Sequence, residues 1–121
     1  MKDLSSWHQP VTIMLSFLTL VFLVATAVAD PGIVVNSSEE EPGGAFCEVC
    51  SIWTPLSAEH CEECGVCIYE MDHHCPWMGK CVGRGNITWF RLFNGSWISF
   101  LIFVIVSMSL RRDSGEHVSR P

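Results

Sequence analysis

Basic residues are scarce in this chain of 121 residues: seven lysines and arginines stand against thirteen aspartates and glutamates, for a formal charge of −6. That balance excludes nucleic acid as a partner, because phosphate contacts need a basic face. Charge of either sign is absent from residues 11–29, VTIMLSFLTLVFLVATAVA. At about 1.5 Å of rise per residue, such a run as a helix nearly spans a hydrocarbon core of roughly 30 Å. Cysteine is absent everywhere except between Cys47 and Cys81, where all seven fall. An odd number leaves one thiol over in any scheme made only of disulfides. No internal repeat or low-complexity tract occurs, and the length supports one modest domain rather than two.

The chain divides at changes of composition. Residues 1–10 form a weakly basic leader, with Lys2 offset by Asp3, and residues 11–29 are expected to be a membrane helix. Ala27-Val28-Ala29 before Asp30 also has the pattern of a signal-peptidase site, which leaves removal of this segment as the rival reading. Asp30-Pro31-Gly32 ends the helix, since proline cannot continue the hydrogen-bond ladder and glycine permits a turn. Residues 30–46 are a polar linker whose acidic run, Glu39 to Glu41, is an ordinary solvated loop. A cysteine-rich domain occupies 47–86. Residues 87–110 are expected to be a second membrane helix, with Arg91, Asn94, Trp89 and Trp97 at interfacial depth. A polar tail, 111–121, opens on Arg111-Arg112. The expected fold is an integral membrane α-helical protein whose two membrane helices flank a small, loop-rich zinc-binding domain of short β-hairpins.

The cysteine-rich block reads Cys47-x2-Cys50-x9-His60-Cys61-x2-Cys64-x2-Cys67-x4-Asp72-His73-His74-Cys75-x5-Cys81. Zinc takes four thiolate or imidazole ligands in a tetrahedron, and a Cys-x2-Cys turn supplies two of them. Two such turns, Cys47/Cys50 and Cys61/Cys64, point to two ions and therefore eight ligands. Seven cysteines and three histidines offer ten. Two are left over, a surplus that a purely structural module has no use for. Disulfide pairing would explain neither the odd thiol nor the histidines. His8 and His117, outside the block, read as ordinary surface or core histidines.

Within this block the tetrad Asp72-His73-His74-Cys75, followed by Pro76-Trp77, resembles the signature of the DHHC-type protein S-acyltransferases, or palmitoyltransferases. Asp30-Pro31-Gly32 resembles that family's DPG motif, and Cys81-Val82-Gly83, Asn86 and Trp89-Phe90 extend the likeness. The resemblance implies two interleaved structural zinc ions. One is held by Cys47, Cys50, His60 and Cys67, the other by Cys61, Cys64, His74 and Cys81. His73 and Cys75 are then the surplus pair. The resemblance further implies that Cys75 is the nucleophile, with His73 as its proton acceptor and Asp72 orienting the imidazole. The co-substrate would be a fatty acyl-CoA such as palmitoyl-CoA, and the acceptor a cysteine of a membrane-associated protein substrate.

Some positions depart from the family pattern. Members ordinarily have at least four membrane helices and a C-terminal Thr-Thr-x-Glu motif, so this chain is expected to be a shortened or fragmentary member. An oligomer or an accessory subunit is accordingly admitted as a partner beside the lipid bilayer. Thr54 and Ser57 stand where the family has basic residues, and Lys80 where it has asparagine, leaving Lys80 or Arg84 to meet CoA phosphates. Thiolates and acyl-CoA both imply a zinc domain facing the cytosol, in a multi-pass protein of the endoplasmic reticulum or Golgi. Sequons at Asn36, Asn86 and Asn94 would matter only on a lumenal face. A non-catalytic zinc-binding membrane module that regulates an intact relative is the alternative function, and a secreted disulfide-rich domain a third.

Overall fold

A computed structural model describes residues 5–35 and 43–116, so Asn36, the acidic run at Glu39 to Glu41, and His117 lie outside the described residues. Among the described residues, two long helices, α1 (Ser5–Val28) and α2 (Ile87–Glu116), flank six short strands. The strands are β1 (Ala45–Cys47), β2 (Ile52–Thr54), β3 (Ala58–Cys61), β4 (Val66–Tyr69), β5 (His73–Cys75) and β6 (Lys80–Val82). Both helices run beyond the apolar stretches that define them in the sequence. The first starts at Ser5 and carries Pro10 inside it, where the ring leaves the Ser6 carbonyl without its usual helical donor. The second continues past Leu110 and through the arginine pair.

Segments Ser6–Val28 and Ile87–Arg112 are each long and apolar enough to cross a membrane, and almost none of the residues in their most apolar stretches are fully buried within the chain. That exposure separates them from the core helices of soluble proteins. The hydroxyls of Thr12, Thr19 and Thr26 donate back to the carbonyls of His8, Leu15 and Phe22 at 2.7 to 2.8 Å. Each of these three hydroxyls is thereby satisfied within the helix, as an apolar solvent requires.

The helices lie side by side and antiparallel. Phe22 meets Trp89 at the end nearest the strands, with ring centroids 6.4 Å apart. At the far end Trp7 and His8 pack on Phe103, and His8 Nδ1 lies 3.1 Å from Ser107 Oγ. His8, read from sequence as unremarkable, is 4% exposed and closes this distal contact.

The strands make three separate antiparallel hairpins, β1–β2, β3–β4 and β5–β6. Their shared apolar core is small: Cys61, Ile68 and Cys81, with Val66 and Met71 against them. A core of this size does not hold a domain together unaided, and metal or disulfide staples are the usual supplement.

The Asp30-Pro31-Gly32 segment ties the domain to α1. Asp30 Oδ1 accepts from the Gly32 and Ile33 amides at 2.6 and 2.9 Å. The Gly32 carbonyl accepts from Tyr69 N–H at 2.8 Å, and the Pro31 carbonyl from Gly85 N–H at 3.1 Å. This backbone runs so close to the turn after β6 that a Cβ on Gly83 would sit 2.6 Å from both Ile68 Cγ2 and the Pro31 oxygen. A Cβ on Gly85 would press into the Asp30 carbonyl oxygen. Glycine is required at both places by contact.

Candidate functional site

Hairpins suit the cysteine spacing because each tight turn brings two sulfurs onto one side. The turns that follow Cys47 and Cys61 both end in a left-handed residue, Ser51 at φ 56° and Gly65 at φ 68°. Glycine adopts that conformation freely, whereas serine does so at a cost of roughly 1–2 kcal/mol. The first turn is therefore the more strained of two otherwise similar loops.

Two clusters result. Cys47, Cys50, His60 and Cys67 form one, and Cys61, Cys64, His74 and Cys81 the other, with the ligand atoms of each within 4.8 Å of one another. Residues of β3–β4 serve both: His60 and Cys67 face each other across that hairpin and join one cluster, while Cys61 and Cys64 join the other.

In the first cluster, His60 Nδ1 lies 3.7, 3.2 and 3.8 Å from the sulfurs of Cys47, Cys50 and Cys67. In the second, His74 Nδ1 lies 3.6, 3.4 and 3.6 Å from those of Cys61, Cys64 and Cys81. The sulfurs of Cys67 and Cys50 are 3.7 Å apart, and those of Cys81 and Cys64 are 3.4 Å apart. A tetrahedral ion with bonds of about 2.3 Å to sulfur sets its ligands roughly 3.8 Å apart, and slightly less between sulfur and nitrogen. These separations suit four bonds to one cation and are far too long for a disulfide of about 2.05 Å. All seven cysteines are free thiols.

The electrostatics agree with the geometry. Burial, together with the neighbouring sulfurs of Cys47 and Cys50, pushes the Cys67 thiol up to about 12. Burial beside Cys61 and Cys64 pushes the Cys81 thiol up as well. Cys61 goes the other way: burial opposes its ionisation, but the Cys64 N–H, the Cys81 thiol and the Glu63 N–H bring it down to about 7. The Cys50 N–H, chief among several donors, lowers Cys47. Crowded thiolates resist sharing one site until a cation neutralises them, so the residues present fit a thiophilic divalent metal.

The ring of His74 is also held from its other side, where Nε2 lies 2.7 Å from Glu63 Oε2. A carboxylate on the distal nitrogen of a ligating histidine fixes its tautomer and orientation. Sequence reading missed Glu63. Its only trace there was its place next to Cys64 in an acidic Cys-x2-Cys turn.

Strand β5 explains the adjacent histidines. Side chains alternate along a strand, so His73 and Cys75 share one face and His74 takes the other. His74 enters the second cluster, and neither His73 nor Cys75 belongs to either cluster. His73 Nδ1 lies 2.7 Å from Asp72 Oδ2, and its ring packs edge-on against Phe90 at 5.2 Å. Cys75 is 5% exposed, on a turn closed by the Met78 N–H donating to its carbonyl at 3.1 Å. An imidazole held by a carboxylate at one nitrogen keeps the other free to exchange a proton.

The remaining motif residues are also placed. Asn86 is fully buried, its Oδ1 accepting from Gly83 N–H at 2.9 Å and its Nδ2 donating to the Cys81 carbonyl at 3.0 Å. The folded turn leaves no room for a glycan on that nitrogen, so a glycan at this sequon is incompatible with the fold. Asn94 donates to the Phe90 carbonyl at 2.8 Å within α2. Lys80, which the sequence offers beside Arg84 for CoA phosphates, donates to the Ala27 and Ala29 carbonyls at 2.8 and 2.7 Å.

The model of the family described as DHHC palmitoyltransferase matches residues 40–114. Palmitoyltransferase ZDHHC17 of Homo sapiens is 40% identical over 93 residues, covering 66% of this chain and 14% of that protein. Palmitoyltransferase ERF2 of Kluyveromyces lactis is 29% identical over 132 residues, covering 85% of this chain and 37% of that protein. Palmitoyltransferase ZDHHC14 of Danio rerio is 44% identical over 63 residues, covering 50% of this chain and 12% of that protein. The chain thus spans a minor part of the length of these curated relatives.

Proposed function

This chain belongs to the DHHC palmitoyltransferase family, and from that premise we infer that it is a protein S-acyltransferase acting through Cys75. The observation that supports this most is the division of labour on β5, where His74 joins a metal cluster while His73 and Cys75 stay outside both.

In this reading the His73 nitrogen not bonded to Asp72 takes the Cys75 thiol proton, and Asp72 stabilises the imidazolium. The Cys75 thiolate attacks the thioester carbon of a fatty acyl-CoA. The bond from that carbon to the CoA sulfur breaks, and CoA leaves with the proton returned by His73. A protein substrate's cysteine then loses its proton to His73 and attacks the acyl-Cys75 thioester. Cys75 is released and reprotonated, and the acyl group has moved between two thiols. One thioester is exchanged for another, so the step needs no further energy source.

Zinc held by Cys47, Cys50, His60 and Cys67 in one cluster and by Cys61, Cys64, His74 and Cys81 in the other would supply rigidity and charge neutralisation rather than a reacting centre. The two helices cross the bilayer, the cysteine-rich domain faces the cytosol, and the membrane is that of the endoplasmic reticulum or Golgi. Each acyl methylene buried against the helices contributes about 0.8 kcal/mol, which favours long chains such as palmitate. Substrates are membrane-associated proteins presenting a cysteine at the same depth.

Incubating detergent-solubilised protein with a clickable acyl-CoA tests this reading. Hydroxylamine-sensitive label on the wild type and none on Cys75→Ser is expected. An unlabelled wild type that still carries two zinc ions would leave a zinc-stabilised membrane module instead.

A further inference from the structure

Helix α1 has no basic residue in its own last turn. Its final carbonyls nevertheless receive a cation from far along the chain. The Lys80 ammonium donates to Ala27 O at 2.8 Å and to Ala29 O at 2.7 Å, across more than fifty residues of sequence. A helix C-terminus leaves its last carbonyls unpaired and carries partial negative charge, so an ammonium is well matched to it. The Asp30 carboxylate, on which Lys80 acts through space, adds a full negative charge just beyond.

Lys80 is also the cross-strand partner of Cys75 in the β5–β6 hairpin. The two residues bracket the tight turn at 76–79, which is closed by Met78 N–H to Cys75 O and Gly79 N–H to Pro76 O. Movement at Lys80 is therefore passed directly to Cys75 through the strand pair. The family ordinarily has asparagine at this position, a side chain without charge and with a shorter reach.

We propose that Lys80 is a positioning residue that straps the Cys75 hairpin to the C-terminal end of α1 and so fixes the nucleophile's depth relative to that helix. The proposal rests on Cys75 being the acyl acceptor only for its kinetic consequence. The strap itself is independent of it. Asp72 and His73 act on the proton, whereas Lys80 acts on where the sulfur stands.

The test uses the full chain in detergent, with wild type, Lys80→Met, Lys80→Asn and Lys80→Arg compared. Hydrogen exchange by mass spectrometry reads the strap. Peptides covering 27–30 and 76–80 should exchange faster in Lys80→Met and Lys80→Asn and recover in Lys80→Arg, with two zinc ions per chain throughout. Single-turnover acylation by a clickable acyl-CoA reads the consequence. The plateau rate should fall on the order of tenfold in Lys80→Met, with the half-saturating acyl-CoA concentration unchanged, and Lys80→Arg should restore it. If Lys80→Met does not retain its zinc, Lys80→Gln takes its place in both measurements.

Unchanged exchange in the methionine and asparagine variants overturns the strap. A higher half-saturating acyl-CoA concentration at an unaltered plateau rate overturns the positioning role and makes Lys80 a contact for CoA. A wild type that accepts no acyl group would sink the enzymatic reading alone, because the exchange measurement would still decide the strap.

Discussion

Replacing Asn86 with alanine tests how the second metal cluster is joined to α2. The side chain is wholly buried, and its two polar atoms satisfy two backbone groups, Gly83 N–H and Cys81 C=O, at 2.9 and 3.0 Å. Gly83 and Cys81 are themselves buried, so water has no easy route to either group. Each buried polar group left unpaired costs about 1–3 kcal/mol, which sets the combined loss at about 2–6 kcal/mol. Because Cys81 is a member of the second cluster, the loss should be felt at the metal as well as in the fold. Asn86→Asp is the sharper variant. It keeps an acceptor for Gly83 but sets an oxygen against the Cys81 carbonyl, and should be no more stable than the alanine form. Thermal unfolding followed by tryptophan fluorescence should show Tm lowered by at least about 5 °C. Zinc release to a chelator, followed with a chromogenic indicator, should be faster from one of the two ions. An alanine variant that melts and releases zinc like the wild type would mean that these two hydrogen bonds hold neither the turn nor the second cluster.

Gly85→Ala should lower Tm by an amount equivalent to about 1–3 kcal/mol, the usual cost of overpacking, because its Cβ meets the Asp30 carbonyl. Gly95→Ala, inside α2 with nothing within 4 Å of the new carbon, is the control in the same melt and should melt no lower than the wild type, since alanine favours a helix over glycine. Glu63→Gln should speed zinc loss from the cluster containing His74 on the order of tenfold and leave the other cluster alone, read by chelator competition on the holo-protein. The Asp30 carboxyl is held below the usual carboxylate range by the Ile33 and Gly32 amides, with Lys80 assisting. Its contribution to stability is thus present above the unfolded value near about 3.9 and is lost as pH falls through the lower folded value. The Tm difference between wild type and Asp30→Asn should therefore shrink as pH is lowered from about 6 to about 3, and a constant difference would contradict this.

Local chemistry made much of the molecule legible in advance. Ligand spacing counted two metal clusters and two spare groups, and the motif resemblance assigned which residues were spare. Alternation along a three-residue strand then gives the physical reason that His73 and His74 part company. What stayed hidden depends on contacts between distant segments. Lys80 looked like a free cation because its carbonyl partners lie more than fifty residues earlier. Asn86 looked like a sequon because only the folded turn between Cys81 and Gly83 encloses it. Glu63 looked like one acid among many, since its partner His74 arrives from another hairpin. The start of α1 at Ser5 rather than at the uncharged run shows that apolar composition marks what a bilayer tolerates, not where helical hydrogen bonding begins.

Metal stoichiometry across adjacent residues tests the assignment of His74, and of neither His73 nor Cys75, to the second cluster. Elemental analysis of folded protein should find two zinc ions per chain in Cys75→Ser and in His73→Ala, but one in His74→Ala. Loss of zinc from the Cys75 or His73 variant, or two ions retained without His74, would contradict it.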